Sequence, residues 1–238
     1  MKISITPTQE VVTSLSLGAS SPKLGGVVNV ERFTDLQGLF CYGNDLAAVT
    51  GYENNSNLAT LLMYANNLTG TLPSDLSNMT NLNAFYCNEN QLTGPLPNLN
   101  GLSNLFIINC GDNQLSGPIP DISTFGLTTL IRFNIYGNNF TGTLTGFQSG
   151  APSLQWIYCY NNNFTGFTGG VPGTLFQFLA FNNNFTQTAI DNILQAFVDA
   201  GGSNGILNVG GTGNSTPSAA GTTNKNTLIG RGWSVTTN

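Results

Sequence analysis

Apolar residues recur along the chain in one short pattern that returns about every two dozen residues. In residues 82–97, apolar positions at Leu82, Phe85 and Cys87 precede Asn90 and the ending Leu-Thr-Gly-Pro-Leu-Pro. The Asn recurs at steps of 21 to 25 residues, at Asn44, Asn66, Asn90, Asn113, Asn138, Asn162 and Asn183. A repeat of this length predicts a solenoid, in which each repeat packs only on its neighbours.

The repeats resemble the leucine-rich repeat family, and the Leu-Thr-Gly-x-Leu-Pro ending resembles its plant-type subclass. The resemblance covers residues 33–186. It implies an α/β solenoid, a right-handed superhelix of about seven repeats with one parallel concave β-sheet and a mostly irregular convex side. Members of this family bind proteins, peptides, glycans and lipids, so the resemblance implies a binding protein without naming its ligand.

Each repeat is predicted to supply one short strand with apolar residues inward at every second position. The inward pairs are Leu39 and Cys41, Leu61 and Met63, Phe85 and Cys87, Ile108 and Cys110, Phe133 and Ile135, Ile157 and Cys159, and Phe178 and Ala180. The recurring Asn is expected to be buried in the turn after the strand and to bond the neighbouring turn's backbone. The Thr-Gly-x-Leu-Pro ending predicts an extended outer wall, because Pro fixes φ and lacks an N–H.

Segments without the repeat flank it on both sides and are predicted to cap the solenoid. Residues 1–32 predict a β-rich N-terminal cap, with strands around 3–5 and 11–17. Residues 187–238 predict an α/β C-terminal cap. Its first helix is expected to begin at a Thr188 capping box and to end at Gly201, before a strand at 206–209, a short helix at 222–230 and a final strand at 233–236. We therefore predict one repeat domain, 33–186, closed by the caps 1–32 and 187–238.

Short motifs in the C-terminal cap carry a second resemblance. The segments 204–209, 217–218 and 232–238 resemble the end of many phage and bacterial tail-associated or surface proteins. The N-terminus has no apolar run long enough for a cleaved signal peptide. This resemblance implies a virion or an extracellular, cell-surface location.

Composition excludes several classes of function. Charged residues make up 7% of the chain, with six basic residues and a net charge of −5. That balance argues against nucleic acid and against an anionic membrane surface as partners, and no stretch is apolar enough to span a bilayer. Histidine, the commonest general base and metal ligand, is absent. We therefore expect no enzyme, no cofactor and no metal.

Two acidic residues and four cysteines are the remaining candidates for chemistry. Glu89 and Asp112 occupy the same column on adjacent repeats, where two carboxylates can act as acid and base or bind calcium. We favour the interpretation that these two carboxylates are solvent-exposed and neither catalyse a reaction nor bind a metal. All four cysteines lie three residues before the recurring Asn, an inward position, which favours buried thiols over a disulfide or zinc site. A disulfide between Cys87 and Cys110 is an alternative that the distance allows, since adjacent strands are about 5 Å apart.

Aromatic residues concentrate on the outward face of the predicted concave sheet. Six of the seven tyrosines occupy positions that flank the inward residues, and such positions point outward. The predicted ligand-binding residues are Phe40, Tyr42, Tyr64, Tyr86, Asp112, Arg132, Tyr136, Trp156, Tyr158, Tyr160 and Phe181. Asn109, Gly111 and Asn134 interrupt the aromatic columns and are expected to form a polar dip. Alternatively, the tyrosines form a ladder that only stabilises the sheet.

Two functions are compatible with this pattern. The first is non-enzymatic recognition or adhesion by a phage virion protein, in the tail or as a receptor-binding protein, or by a bacterial surface protein. Its concave aromatic face would bind a host-surface glycan or protein, or its partners would be other subunits of the virion or surface. The second is a structural subunit that self-assembles into a fibre or particle, a homo-oligomer held by its low-charge Asn/Thr surface.

Overall fold

The computed structural model describes residues 12–145 and 147–238. These residues form seventeen β-strands, and their bounds are β1 Ser14–Ser16, β2 Gly25–Asn29, β3 Gly38–Phe40, β4 Asp45–Thr50, β5 Thr60–Leu62, β6 Thr69–Thr71, β7 Ala84–Tyr86, β8 Gln91–Gly94, β9 Ile107–Asn109, β10 Gln114–Pro118, β11 Arg132–Asn134, β12 Asn139–Leu144, β13 Trp156–Tyr158, β14 Asn163–Phe167, β15 Gln177–Leu179, β16 Ile206–Asn208 and β17 Ser234–Thr236. They also form three α-helices, α1 Phe147–Gly150, α2 Gln187–Ala200 and α3 Ala219–Gly230, and a 3₁₀ turn at Ile122–Thr124.

The strands form a parallel β-solenoid, which confirms the predicted fold of about seven turns. The main sheet has ten strands in the order β1-β3-β5-β7-β9-β11-β13-β15-β16-β17. Its seven central members are the predicted repeat strands, and the first inward residue of each lies at the strand's centre, as Leu39 does in β3. The sheet is wider than predicted, because one strand from the N-terminal segment and two from the C-terminal segment extend it.

A second parallel sheet forms the flank of the solenoid. Its strand order is β14-β12-β10-β8-β6. In each of these turns a Leu or Phe stands two residues after the recurring Asn, and the strand begins at the residue just before or just after that Leu or Phe. The extended outer wall predicted from the Thr-Gly ending is therefore a regular sheet here. Beyond it the chain is mostly irregular, with the 3₁₀ turn and α1 as its short helical elements. A separate pair, β2 and β4, lies at the N-terminal end.

The recurring Asn residues make the predicted hydrogen bonds to the backbone of neighbouring turns, and together they form a ladder along the solenoid. Asn138 is an example. Its Nδ2 donates to the carbonyl oxygens of Cys110 at 3.0 Å, Ile135 at 3.2 Å and Tyr136 at 3.0 Å, while its Oδ1 accepts from Leu115 N at 2.9 Å. Asn66, Asn90, Asn113, Asn162 and Asn183 repeat these bonds between turns. Asn214 extends this ladder of Asn side chains, because its Oδ1 accepts from Phe185 N at 3.0 Å. The sequence period did not predict this residue.

The C-terminal segment closes the core with a helix and two added strands. Thr186 is the N-cap of helix α2, and its Oγ1 accepts from Ala189 N at 3.2 Å, so the predicted Thr188 cap is wrong by two residues. The helix ends at Gly201, whose φ of 75° is the left-handed conformation that glycine adopts easily. Trp233 packs edge-on against Phe197 with ring centroids 5.2 Å apart. No helix in the two described ranges has the length and apolar character of a membrane span.

At the N-terminal end, β1 lies within the second predicted strand, and the strand predicted around 3–5 lies outside the described residues. The boundaries 1–32, 33–186 and 187–238 stay a prediction.

All four cysteine side chains are buried in the core, and they are unbridged thiols in the structure. Burial raises the pKa of Cys41 to about 12 and the pKa of Cys159 further. Burial also raises the pKa of Cys87, and a contact with Cys110 adds to the effect. The thiolates needed for metal binding or disulfide exchange are therefore strongly disfavoured while the chain is folded.

Candidate ligand-binding face

The outward side of the ten-stranded sheet carries all the predicted ligand-binding residues, and we name it the tyrosine face. Ten of these side chains are half-buried and Asp112 is exposed; the ten are Phe40, Tyr42, Tyr64, Tyr86, Arg132, Tyr136, Trp156, Tyr158, Tyr160 and Phe181. They flank residues that are fully buried, such as Leu61 and Phe85. The strand alternation therefore places them on one surface, as the sequence pattern requires.

Four of the six tyrosines on this face belong to two stacks. In the first stack, the Tyr42 and Tyr64 rings lie 4.9 Å apart and nearly parallel, at 3°. In the second stack, Tyr160 lies between Tyr136 at 4.9 Å and Phe181 at 4.5 Å, with interplanar angles of 11° and 7°. Stacked rings cover each other's faces, so they present mainly ring edges and hydroxyl groups to solvent.

Glycine makes room for the second stack. A Cβ placed on Gly111 would clash with the ring of Tyr136, so that ring lies directly over Gly111. The polar dip predicted around Gly111 is therefore partly covered by an aromatic ring. Asn134, also assigned to the dip, is buried with 6% of its surface exposed, while Asn109 remains half-buried.

A second aromatic group lies toward the start of the strands. The Arg132 guanidinium lies 4.7 Å from the centre of the Trp156 ring, which is a cation–π contact. Trp156 also meets Phe176 edge-on at 4.9 Å, and Phe176 is 39% exposed. Nearby, Tyr158 donates its hydroxyl hydrogen to Gln177 Oε1 at 2.8 Å. Phe176 was missed from sequence because it precedes the strand and falls outside the alternating columns.

A pocket of about 500 Å³ lies at the edge of the first stack. Thr60, Leu62, Tyr64, Ala84, Tyr86, Asn88, Glu89 and Asn109 line it. The Tyr64 and Tyr86 rings are 6.3 Å apart and tilted by 58°, unlike the rings within each stack. The pocket therefore has an apolar part at the two tyrosines and Leu62, and a polar end at Asn88, Glu89 and Asn109. Six of its lining residues were not in the predicted set.

Unpaired polar atoms are buried beside and beyond this pocket. The Nδ2 of Asn88 donates to Glu89 Oε1 at 3.0 Å, but its Oδ1 has no hydrogen-bond partner within the described part of the chain. The same holds for Asn134 Oδ1 and Arg132 Nε. A buried acceptor without a donor costs about 1–3 kcal/mol. The two amide oxygens therefore mark places where a bound N–H or O–H donor would be stabilised, whereas Arg132 Nε is itself a donor and would need an acceptor.

Two carboxylates flank the break between the stacks. Glu89 and Asp112 both adopt left-handed backbone conformations, with φ of 56° and 49°, at equivalent positions of adjacent turns. Partial burial, followed by the negative charge of Glu89, raises the pKa of Asp112 above its usual value. Within residues 12–145 and 147–238 the one ion pair is Lys23 with Asp45 at 3.7 Å, so neither carboxylate has a basic partner there. The same residues contain no cluster of three potential metal ligands.

Replacing Asp112 by asparagine is expected to stabilise the chain at pH 7. The raised pKa of Asp112 means that the fold favours its protonated form, so its contribution is most favourable below about pH 4 and is lost as pH rises. The gain should stay below about 1 kcal/mol, because the side chain is exposed and solvent screens its charge. It should shrink at about pH 3.5, where Asp112 is protonated.

Urea unfolding of wild type and Asp112→Asn at both pH values measures this difference. Asp121→Asn is the matched control, because hydrogen bonds from Ser123 lower the pKa of Asp121. That variant should gain nothing at pH 7. An equal gain from both substitutions would contradict the assigned cause.

Comparison with known proteins agrees with the fold. Residues 57–79 match the sequence model of the Leucine Rich Repeat family. No curated protein matches the chain. The crystal structure of a TDR receptor is 26% identical, with a TM-score of 0.64 over 73% of this chain and 31% of the receptor chain.

Two further structures extend the comparison. The leucine-rich repeat ectodomain of the Arabidopsis thaliana membrane receptor kinase GASSHO1/SCHENGEN3, in complex with CASPARIAN STRIP INTEGRITY FACTOR 2, is 21% identical and has a TM-score of 0.62. The match covers 90% of this chain and 28% of that one, and at this identity it shows the fold alone. A plant ice-binding protein is 25% identical, with a TM-score of 0.56 over 73% of this chain and 57% of its own.

These matches show a leucine-rich repeat solenoid that resembles plant receptor ectodomains, a fold that typically serves as a non-catalytic binding module. This chain spans less than a third of the two receptor chains. The matches give no support to the predicted phage or bacterial character of the C-terminal cap.

Proposed function

We propose that this chain is a non-enzymatic recognition module that binds a segment of another protein on its tyrosine face. The observation that carries this proposal is the pocket of about 500 Å³ at the edge of the first stack, where tyrosines meet the unpartnered Asn88 Oδ1. Pockets of this size with an apolar wall and a few polar groups suit a ligand side chain. Tyrosine and tryptophan dominate the binding energy of many protein interfaces.

The ring arrangement favours a protein ligand over a glycan. A sugar ring packs its C–H groups on a broad open aromatic face, but in the stacks Tyr160 is covered on both faces and Tyr64 on one. The open ring surface is therefore concentrated at the small pocket beside Tyr64 and Tyr86. Ring edges and hydroxyl groups suit the hydrogen bonds of an extended peptide. The glycan ligand, which the sequence also predicted, is therefore the second choice and an outcome of the test below.

The comparisons supply a general precedent for this role. Two of the three similar structures are receptors, and one of them is a complex with a bound factor. What those receptors bind is a property of those proteins. A phage virion, a bacterial surface or another extracellular setting is compatible with the proposal, and the setting stays a prediction.

The alternative function is a self-assembling structural subunit. The five strands of the flanking sheet carry no charged residue, and their exposed positions are mostly Asn, Gln and Thr, with Gly70 and Pro118 as the others. An uncharged sheet lacks the repulsion that keeps copies apart. In this alternative the stacked tyrosines only stabilise the main sheet.

Changing Tyr64 and Tyr86 to asparagine tests the two functions together. Other turns carry asparagine in these columns, at Asn88 and Asn109, so the variant should fold. Peptide and glycan arrays probed with wild type should give peptide ligands whose binding the double variant weakens at least about tenfold. Thr141→Asn, on the flanking sheet, is the control and should bind like wild type.

Light scattering over a hundredfold range of concentration completes the test. A mass that stays at 25.1 kDa is expected for a monomeric recognition module. Assembly of wild type that the double variant abolishes would make the tyrosine face a self-contact and overturn the proposal. Ligands that are all glycans would overturn the choice of a protein ligand.

A further inference from the structure

Resting on the proposed function, we propose that the pocket beside Tyr64 and Tyr86 binds a basic side chain of the partner protein. The ligand group is the ammonium of a lysine or the guanidinium of an arginine. It lies in the pocket against the two tyrosine rings and reaches the carboxylate of Glu89, with Asp112 as a second negative charge.

Charge is the first reason for a cationic group. Glu89 lines the pocket, and its backbone N–H bonds Gly111 O at 3.0 Å, while Asn90 N bonds Asp112 O at 3.1 Å. Glu89 and Asp112 therefore stand on adjacent turns, about 4.8 Å apart along the sheet. Two like charges at this spacing repel each other, and no basic side chain in the described ranges is paired with either. A bound cation would remove that repulsion.

The second reason is the surplus of acceptors. Asn88 is 94% buried, since its exposed fraction is 6%, and it lines the same pocket with its Oδ1 unpartnered. An ammonium carries three N–H donors and a guanidinium carries five, whereas a carboxylate or phosphate carries none. A basic group can therefore satisfy Asn88 Oδ1 and the Glu89 carboxylate together. An anionic ligand would leave the amide oxygen unpaired and would be repelled.

The third reason is the geometry of the two rings. Tyr64 and Tyr86 are tilted by 58° at 6.3 Å, so neither covers the other as the rings within each stack do. An open aromatic face attracts a cation through its quadrupole, which contributes about 0.5–2 kcal/mol. The chain already makes one such contact, between Arg132 and Trp156 at 4.7 Å. The pocket offers the same interaction to a ligand.

A metal ion fits these residues less well. Calcium takes six to eight oxygen ligands, and the described chain holds no group of three potential metal-binding side chains. The two carboxylates stand on separate turns, and only Glu89 lines the pocket. Calcium binding is therefore an outcome that would replace the proposal.

Capped peptides with a single basic residue provide the test. The probes are acetylated and amidated Gly-Gly-Lys-Gly-Gly, its Arg counterpart, and the same peptide with Nε-acetyl-lysine, which keeps the stem and removes the charge. Side-chain amide NMR signals of Asn88 and Asn109 report binding at the pocket. Both basic peptides should bind with a Kd of about 1 mM, and the acetylated peptide should bind at least about tenfold more weakly.

The variants Glu89→Asn and Asp112→Asn, alone and combined, identify the carboxylates. Two other turns carry Asn161 and Asn182 in the same left-handed position, so these changes suit the backbone. The double variant should weaken binding of the basic peptides at least about tenfold. Asp199→Asn is the matched control, because Asp199 lines a different pocket of about 470 Å³, and it should bind like wild type.

Three results would overturn the inference. They are equal binding of the acetylated and basic peptides, unchanged affinity in the double variant, and the lack of a saturable shift with either basic peptide. A calcium titration that shifts the same signals while the peptides do not would replace it with a metal site. Array ligands that lack basic residues but still need Tyr64 and Tyr86 would overturn this inference and leave the proposed function intact. If no array ligand depends on those tyrosines, the proposed function fails.

Discussion

Replacing Asn138 by aspartate is expected to lower the free energy of unfolding by about 3–5 kcal/mol at pH 7. The side chain keeps its shape but loses the Nδ2 group that donates to the carbonyl oxygens of Cys110, Ile135 and Tyr136. A carboxylate would turn a negative oxygen toward three carbonyl oxygens at a site that is 7% exposed. An uncompensated buried charge is among the most damaging changes a core can suffer.

The loss should depend on pH in one direction. Burial and the facing carbonyl oxygens favour the protonated acid, so the new group's pKa in the folded chain lies above its unfolded value of about 3.9. The variant is therefore closest to wild type at low pH and loses stability as pH rises through the folded pKa. Urea unfolding at about pH 4 and at pH 7 measures both values.

Asn139→Asp is the control for the ladder. Asn139 is adjacent in sequence but exposed on the flanking sheet, so its replacement should change stability by less than about 0.5 kcal/mol. Similar losses in the two variants would show that added negative charge, and not the buried hydrogen bonds, is responsible. A loss at Asn138 that is the same at both pH values would contradict the buried-carboxylate explanation.

Repetition made the fold predictable from sequence. A position that faces the apolar core in every turn must be apolar in every turn, so Leu61, Phe85 and Ile108 recur in one column and each is fully buried. The ladder was predictable for the same reason, because a buried amide needs partners and the neighbouring turn supplies them. Where the spacing changes the prediction failed: Asn214 follows Asn183 by 31 residues, beyond any step of the repeat.

Sequence did not predict that the added strands at the two ends pair with the main sheet. Strands β1, β16 and β17 have three residues each, too few for alternation to show which sheet they join. Their pairing follows from tertiary contacts: β1 covers the edge of β3, β16 covers the edge of β15, and β17 adds to β16. Local pattern indicates a strand there, and only the assembled core determines its neighbour.

The candidate site was predictable as a surface but not as a pocket. Alternation places Tyr64 and Tyr136 on one face, yet ring direction depends on neighbours such as Gly111, over which Tyr136 lies. Leu62, Asn88 and Glu89 were left out of the predicted ligand-binding set, because a single column gives no sign that rings will tilt apart beside them. The unpartnered Asn88 oxygen is likewise a property of packing, which sequence does not contain.

Replacing Phe164 by alanine is expected to cost about 3–5 kcal/mol of stability. Its ring is fully buried and stacks between Phe140 at 6.4 Å and Phe185 at 6.3 Å, with interplanar angles of 14° and 15°. The first four turns carry leucine in this column and the last three carry phenylalanine, at Leu46, Leu68, Leu92, Leu115, Phe140, Phe164 and Phe185. The alanine variant would leave a cavity between two large rings that are themselves fully buried in their own turns, so the cavity can close only if a turn shifts.

Phe164→Leu separates volume from the aromatic stack. Leucine suits this position in the first four turns, so the loss should be about 1–2 kcal/mol, part of it the aromatic contacts themselves. Thr165→Ala, next in sequence and exposed, should change stability by less than about 0.5 kcal/mol.

Urea unfolding followed by circular dichroism measures all three variants. Equal losses from Phe164→Leu and Phe164→Ala would mean that this half of the core depends on the ring stack itself. A loss below about 1 kcal/mol from Phe164→Ala would mean that the turns close over the cavity, because each contacts only its two neighbours.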